Sequence, residues 1–240
     1  MDVQIKRADE RTTLNLGWLV SKHTFPFAGN FDLHRNGHGV LLVNNEDVMS
    51  PGESFDMHQH KDMEIVTWVM SGEVVHEDST GNTIRIPAGS AQRMTAGTGI
   101  RHAERSVARN GEKVHVVQMW AAPDTNGLTP HYDQADFTAQ INSGELFIVA
   151  SGLAKHADEP GIGISNKYAA LYAARIPAGQ SVTTPTGPFV HVFVAEGEVH
   201  MDSAGDLSHG DSARITNGGG QTLTAREDSE ILIWEMHAHF

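Results

Sequence analysis

Short apolar runs, broken at regular intervals by Gly, Pro, Asn and Asp, dominate the chain. Gly39-Val40-Leu41-Leu42-Val43, Glu64-Ile65-Val66-Thr67-Trp68-Val69-Met70, Lys113-Val114-His115-Val116-Val117-Gln118-Met119-Trp120 and Glu230-Ile231-Leu232-Ile233-Trp234 are the clearest. Each has the length and β-branched content of a strand, and helical periodicity is scarce. Ser79-Thr80-Gly81-Asn82 sits between two such runs and predicts a hairpin. Many short strands with turn signals between them predict an all-β protein built as a sandwich or barrel.

The pattern also repeats. Trp68-Val69-Met70-Ser71-Gly72-Glu73-Val74 resembles Phe193-Val194-Ala195-Glu196-Gly197-Glu198-Val199, with the glycines 125 positions apart. Asp78-Ser79-Thr80-Gly81 resembles Asp202-Ser203-Ala204-Gly205. Gly89-Ser90-Ala91-Gln92-Arg93-Met94-Thr95-Ala96-Gly97 resembles Gly210-Asp211-Ser212-Ala213-Arg214-Ile215-Thr216-Asn217-Gly218. Order and spacing hold through all three blocks, which predicts two copies of one β unit. The join is expected between Ala121 and Gly144, where strand signals fade, giving domains of residues 1–130 and 131–240.

Composition narrows the function. The 240 residues can bury a core without covalent staples, and the absence of cysteine removes thiolate chemistry and Cys-built zinc sites. A net charge of −13 repels phosphate backbones, so nucleic acid is not an expected partner. There is no apolar run of membrane-spanning length, and Met1-Asp2-Val3-Gln4-Ile5-Lys6-Arg7 has no apolar signal core. A soluble, cytoplasmic protein with no membrane partner is the expectation.

Fifteen histidines make a single His-x-His pair unremarkable, since chance placement supplies about one. Two occur, His58/His60 and His237/His239. Residues i and i+2 of a strand face the same way, so His58 and His60 can aim two imidazoles at one point. His102 and Glu104 repeat that spacing after the turn Gly97-Thr98-Gly99, whose glycines fit positive φ. Should the two segments be neighbouring strands, three neutral imidazoles and a carboxylate converge. That set suits one divalent transition metal, Fe, Mn, Co, Ni, Cu or Zn, with positions left open for a substrate oxygen or dioxygen. For His237/His239, close to the chain end, an ordinary structural role is expected. His76, His115, His191 and His200 lie in strand-like runs and are expected to be surface or hydrogen-bonded residues. Phe55, Met57, Met63, Trp68, Met94 and Met119 are expected mostly in the core.

Gly52-x5-His58-x-His60-x3-Glu64-x7-Gly72 resembles the first cupin motif, and Gly81-x5-Pro87-x-Gly89 resembles the start of the second. Ordinary cupins place a histidine soon after the latter, where this chain has Gln92. The run Gln92-Arg93-Met94-Thr95-Ala96-Gly97-Thr98-Gly99-Ile100-Arg101-His102-Ala103-Glu104 instead resembles the pirin family. So do Gly17-Trp18-Leu19, His23-Thr24-Phe25 and Glu73-Val74-Val75-His76-Glu77-Asp78-Ser79. The resemblance covers about residues 10 to 122. It implies a bicupin, two tandem jelly-roll-like barrels, with iron or another divalent metal in the N-terminal one. The implied ligands are His58, His60, His102 and Glu104, with Glu64 outside the coordination sphere; ordinary cupins use a glutamate at that position, which makes Glu64 the competitor of Glu104. In the second repeat Thr183/Pro185 or Pro185/Gly187 match His58/His60, and Ala225-Arg226 matches His102/Glu104, so a barrel without metal ligands is expected there. The resemblance further implies quercetin 2,3-dioxygenase activity, in which O₂ opens a flavonol ring with release of carbon monoxide and Glu104 serves as base. Its alternative is a metal- or redox-sensing regulator that binds a metabolic enzyme or another protein partner.

Overall fold

The computed structural model describes residues 1–26, 36–107, 111–159 and 161–239. Strands β1 (Asp2–Lys6), β2 (Thr12–Asn15), β3 (Leu19–His23), β4 (Leu41–Met49), β5 (Ser54–His60) and β6 (Glu64–Ser71) come first. They are followed by β7 (Glu73–Asp78), β8 (Thr83–Pro87), β9 (Ser90–Thr95), β10 (Ile100–Ser106), β11 (Val114–Ala121) and β12 (His131–Asp136). The second half holds β13 (Phe147–Ser151), β14 (Ile162–Gly163), β15 (Ala169–Ile176), β16 (Ser181–Thr183) and β17 (Thr186–Glu196). It closes with β18 (Glu198–Met201), β19 (Gly205–Ser208), β20 (Ser212–Gly219), β21 (Thr222–Ala225) and β22 (Ser229–Met236).

These strands make two barrels, each a seven-stranded sheet facing a four-stranded one. The first pairs the order β12-β9-β6-β11-β4-β3-β2 with β5-β10-β7-β8. The second pairs β1-β20-β17-β22-β15-β13-β14 with β16-β21-β18-β19. The two smaller sheets have the same order of equivalent strands, as the sequence repeat predicts. Gly72 and Gly197 share a positive φ of 75° and 78°, and Gly89 and Gly210 one of 78° and 85°. Equivalent turns therefore close equivalent hairpins in the two halves.

Strand membership crosses the expected boundary in both directions. β1 pairs with β20 of the second barrel, and Arg7 and the Ala8 N–H both bond Asp211 there. β12 lies past the expected boundary at residue 130, yet it pairs with β9 and belongs to the first barrel.

The large sheets pack against each other, and side-chain alternation divides their residues between seam and interior. On β22, Leu232, Trp234 and Met236 join the seam, while Ile231 and Ile233 fill the second barrel. On β6, Val66 and Trp68 face the seam. β22 and most of β6 are buried on both faces, and Ile231 to Trp234 and, Thr67 apart, Ile65 to Val69 are apolar without alternation. Two indoles stitch the seam: Trp68 Nε1 donates to Glu230 at 2.7 Å and Trp234 Nε1 to the Met119 sulfur at 3.2 Å.

The interiors differ in kind. Valine, alanine, leucine, isoleucine and methionine, with the single tyrosine Tyr172, fill the second barrel. The first keeps a smaller apolar cluster around Val69, Val74 and Ile86, and carries buried Thr67, His76, Gln92, His102 and Glu104. Buried polar groups cost stability unless they are partnered, so a barrel that keeps this many has a use for them.

Candidate metal centre

β10 runs antiparallel to β5, with His102 opposite His58 and Ile100 opposite His60. Alternation turns His58, His60 and His102 inward together. Their ring centroids stand 4.3 Å (His58–His102), 4.9 Å (His58–His60) and 5.0 Å (His60–His102) apart. One donor atom from each lies within 4.8 Å of the others.

The nitrogen chemistry fits a cation. His58 Nδ1 donates to the Asp56 carbonyl at 2.7 Å, which leaves Nε2 as a lone-pair donor. His60 Nε2 and both nitrogens of His102 are buried with no hydrogen-bond partner. Burial, reinforced by the neighbouring imidazoles, pushes His60 down to about 4 and His102 down to about 3. Neutral imidazoles clustered around unfilled lone pairs are what a divalent transition metal requires.

Glu104 follows on the same inward row of β10, beyond an irregularity in the pairing with β5. Gln92 Nε2 donates to its Oε1 at 2.6 Å and Gln118 Nε2 to its Oε2 at 2.7 Å. Held by those amides, Glu104 does not join the three histidines in one set at 4.8 Å. It forms a second set with His76 and His102. The position where ordinary cupins carry a histidine, Gln92, thus orients the carboxylate. Glu64 lies elsewhere: its Oε2 accepts from Thr95 Oγ1 at 3.0 Å and from the Ser165 backbone N–H at 2.8 Å, and burial raises its pKa.

A cavity of about 360 Å³ opens beside His58, His60 and Glu104. Leu14, Trp18, Leu19, Phe55 and Trp120 supply apolar walls, and Ser21, His23, Asn45, Asp47 and Gln118 a polar floor. Burial pushes Asp47 up to about 6. An aromatic-walled slot with a few convergent polar groups has the form of a small-molecule site.

The other expectations divide. His76 is hydrogen-bonded, to Asp78, as one of the two alternatives expected, whereas His191 is fully buried with no hydrogen-bond partner on either ring nitrogen and fits neither. His76 follows Val74 and precedes Asp78 on the inward face of β7, an alternation visible in the sequence. Phe55 lines the cavity and Met57 is 44% exposed, while Trp68, Met94 and Met119 are core. His115 bonds Glu46 at the seam, and His237 bonds Glu235 at 2.7 Å. In the second barrel, Leu223 pairs with Met201 as Glu104 pairs with His76. Leu223 rather than Arg226 therefore stands where Glu104 does, because strand register and not residue count fixes the match.

Two jelly-roll-like barrels in tandem, one polar and histidine-rich inside and one apolar, define a bicupin. Residues 4–121 match the Pirin family and residues 150–236 the quercetinase C-terminal cupin domain. A Mycobacterium tuberculosis protein named "Putative quercetin 2,3-dioxygenase Rv0181c" is 44% identical over 236 residues, covering 98% of this chain and 96% of its own. The quercetin 2,3-dioxygenase of Escherichia coli K12 is 35% identical over 235 residues, 98% of each chain. The crystal structure of the Escherichia coli bacterial pirin YhhW in complex with nickel(II) superposes with a TM-score of 0.87 at 33% identity, covering 99% of this chain and 100% of that one. The chain belongs to the pirin family. Among the described residues no helix is long and apolar enough to cross a membrane.

Proposed function

We propose that this pirin is a metal-dependent dioxygenase that opens the ring of a flavonol with O₂, the reaction of a quercetin 2,3-dioxygenase. The observation that carries the reading is the convergence of His58, His60 and His102, with buried unpartnered nitrogens on His60 and His102, at the edge of an aromatic-walled cavity. The donors that would hold the ion are His58, His60, His102 and Glu104, and iron is the preferred metal. Bound there, a divalent ion supplies Lewis-acid polarisation of a substrate oxygen and redox capacity toward O₂. The nickel complex of the YhhW pirin and the names of the relatives support the assignment.

The protein's own groups bind, orient and move a proton. Trp18, Phe55 and Trp120 provide flat apolar surfaces that suit a planar aromatic substrate and exclude water from it. Glu104 accepts the flavonol hydroxyl proton at a carboxylate oxygen, with Gln92 and Gln118 fixing its orientation. Residues 1–130 carry this chemistry. β13 to β22, joined by β1, form a companion barrel that buries the back of the site's large sheet, while β12 just past the boundary belongs to the first.

The test incubates protein loaded with Fe, Mn, Co, Ni or Cu with quercetin under air, following flavonol absorbance and carbon monoxide release. Turnover is expected with at least one metal and is expected to fall strongly in Glu104→Gln. Absence of turnover with all five overturns the proposal.

A further inference from the structure

Strand β10 has histidines on both sides. β5 brings His58 and His60 to one flank, and β7 brings His76 to the other, directly opposite Glu104. Val74, His76 and Asp78 form the inward, buried row of β7.

His76 Nε2 donates to Asp78 Oδ2 at 3.2 Å. Asp78 is itself fixed by the Thr80 N–H and hydroxyl and by the Asn82 N–H and side-chain amide. A carboxylate that holds one ring nitrogen so that the other presents its lone pair is the usual support of a metal-binding histidine. That other nitrogen, His76 Nδ1, is sealed from solvent and has no partner. A structural His–Asp pair accounts for Nε2 but leaves Nδ1 without a reason.

Donor atoms of His76, His102 and Glu104 lie within 4.8 Å of one another, and all three residues are buried. Donors around one transition-metal ion at about 2.0–2.2 Å stand about 3–4 Å apart, so a small inward movement closes the set. The Tyr132 ring packs at a tilt against His76, with 4.7 Å between centroids, but its hydroxyl donates to Gln134. In the second barrel the paired residues at the corresponding positions are Met201 and Leu223.

We propose that β10 serves two overlapping cation positions that share His102 and Glu104, an outer one completed by His58 and His60 and an inner one completed by His76. The inner position takes a borderline divalent metal such as Co(II), Zn(II) or Cu(II), for which two imidazoles and a carboxylate are a suitable donor set. The inference rests on the metal-binding reading of the outer position and adds a ligand to it.

Cobalt(II) titrated into metal-stripped full-length protein tests this, with visible d–d absorption and equilibrium metal content as readouts. His58→Ala/His60→Ala removes the outer position and keeps the shared pair. It is expected to bind Co(II) at least about 100-fold more weakly than wild type, beyond the range for losing an orienting partner alone. Adding His76→Phe is expected to abolish that binding, while His76→Phe alone leaves wild-type uptake in place. Circular dichroism confirms the fold of each variant, and His58→Gln/His60→Gln takes the place of the alanine pair if that pair melts early. A folded double variant that takes up no cobalt, or takes up as much without His76 as with it, overturns the inner position while the outer one stands. A wild type that takes up none overturns both.

Discussion

His209 of the second barrel meets Glu46 of the first across the seam, with Nε2 2.6 Å from Oε1. The same carboxylate accepts from His115 Nε2 at 2.9 Å and from the Arg11 guanidinium at 2.7 Å. Burial alone would favour neutral Glu46. The hydrogen bonds from His115, His209 and Arg11 outweigh it and hold the group well below the usual carboxylate range. His209 moves the other way, raised by its bond to Glu46, with partial burial, Lys22 and Arg11 opposing. A raised histidine stabilises the fold fully below its ordinary value of 6.5 and loses that contribution as pH rises through the folded value. A depressed carboxylate contributes above its ordinary value of 4.5 and loses its contribution as pH falls toward the folded one. This cluster therefore contributes most between those two values. From pH 6 to pH 9 the melting temperature of wild type is expected to fall, and that of His209→Gln to fall less; calorimetry across the range measures the difference.

Removing the charge from Glu46 strands its buried partner. The Arg11 side chain is 0% exposed and that of Glu46 5%. Glu46→Gln is expected to destabilise the protein by about 3–5 kcal/mol, the cost of breaking a buried ion pair from one side. Urea unfolding measures it, and an unchanged midpoint would contradict the account.

His102 belongs to both donor sets, whereas His58 belongs to one. After equilibrium dialysis against a limiting divalent metal, His102→Ala is expected to retain almost none, and His58→Ala a reduced but measurable amount. Elemental analysis distinguishes the two. Equal retention would place His102 outside the coordination sphere.

Gln118 touches Glu104 and no predicted substrate atom is required to touch it. Gln118→Ala removes the 2.7 Å bond to Oε2 and leaves the carboxylate held at Oε1, by Gln92. Loss of such an orienting partner is expected to lower metal affinity or kcat/KM by about 10–100-fold, with the melting temperature little changed. Parallel measurement of activity, metal content and melting separates this from a folding defect.

Gly97 opens the turn that leads into β10. Its φ is 47°, and a Cβ there would lie 1.9 Å from the Leu128 carbonyl oxygen. Gly97→Ala must displace backbone, so a destabilisation larger than about 1 kcal/mol is expected, together with weaker metal retention as His102 loses its aim. Chemical denaturation and metal analysis read the two effects.

The strand pattern, the tandem repeat and the facing of each His-x-His-like pair were legible along the chain, because alternation on a strand is local. His58 and His60 must share a face, and so must His102 and Glu104, whatever else the protein does. Gln92 announced itself as a departure from the usual cupin motif, although its bond to Glu104 did not. His76 obeyed the same alternation but stood alone in its run, and only the position of β7 beside β10 made it a neighbour of the site.

Sequence by itself therefore determined an all-β, two-unit chain with donor residues at strand spacing. Tertiary structure decided which strands lie side by side, at what register, and with what across the seam. It placed β1 in the far barrel, set Glu46 among Arg11, His115 and His209, turned Glu64 toward Ser165, and gave Glu104 to Gln92 and Gln118. The physical reason is that facing depends on two residues of separation, whereas neighbourhood depends on how both large sheets bury one apolar surface, a property of many distant side chains acting together.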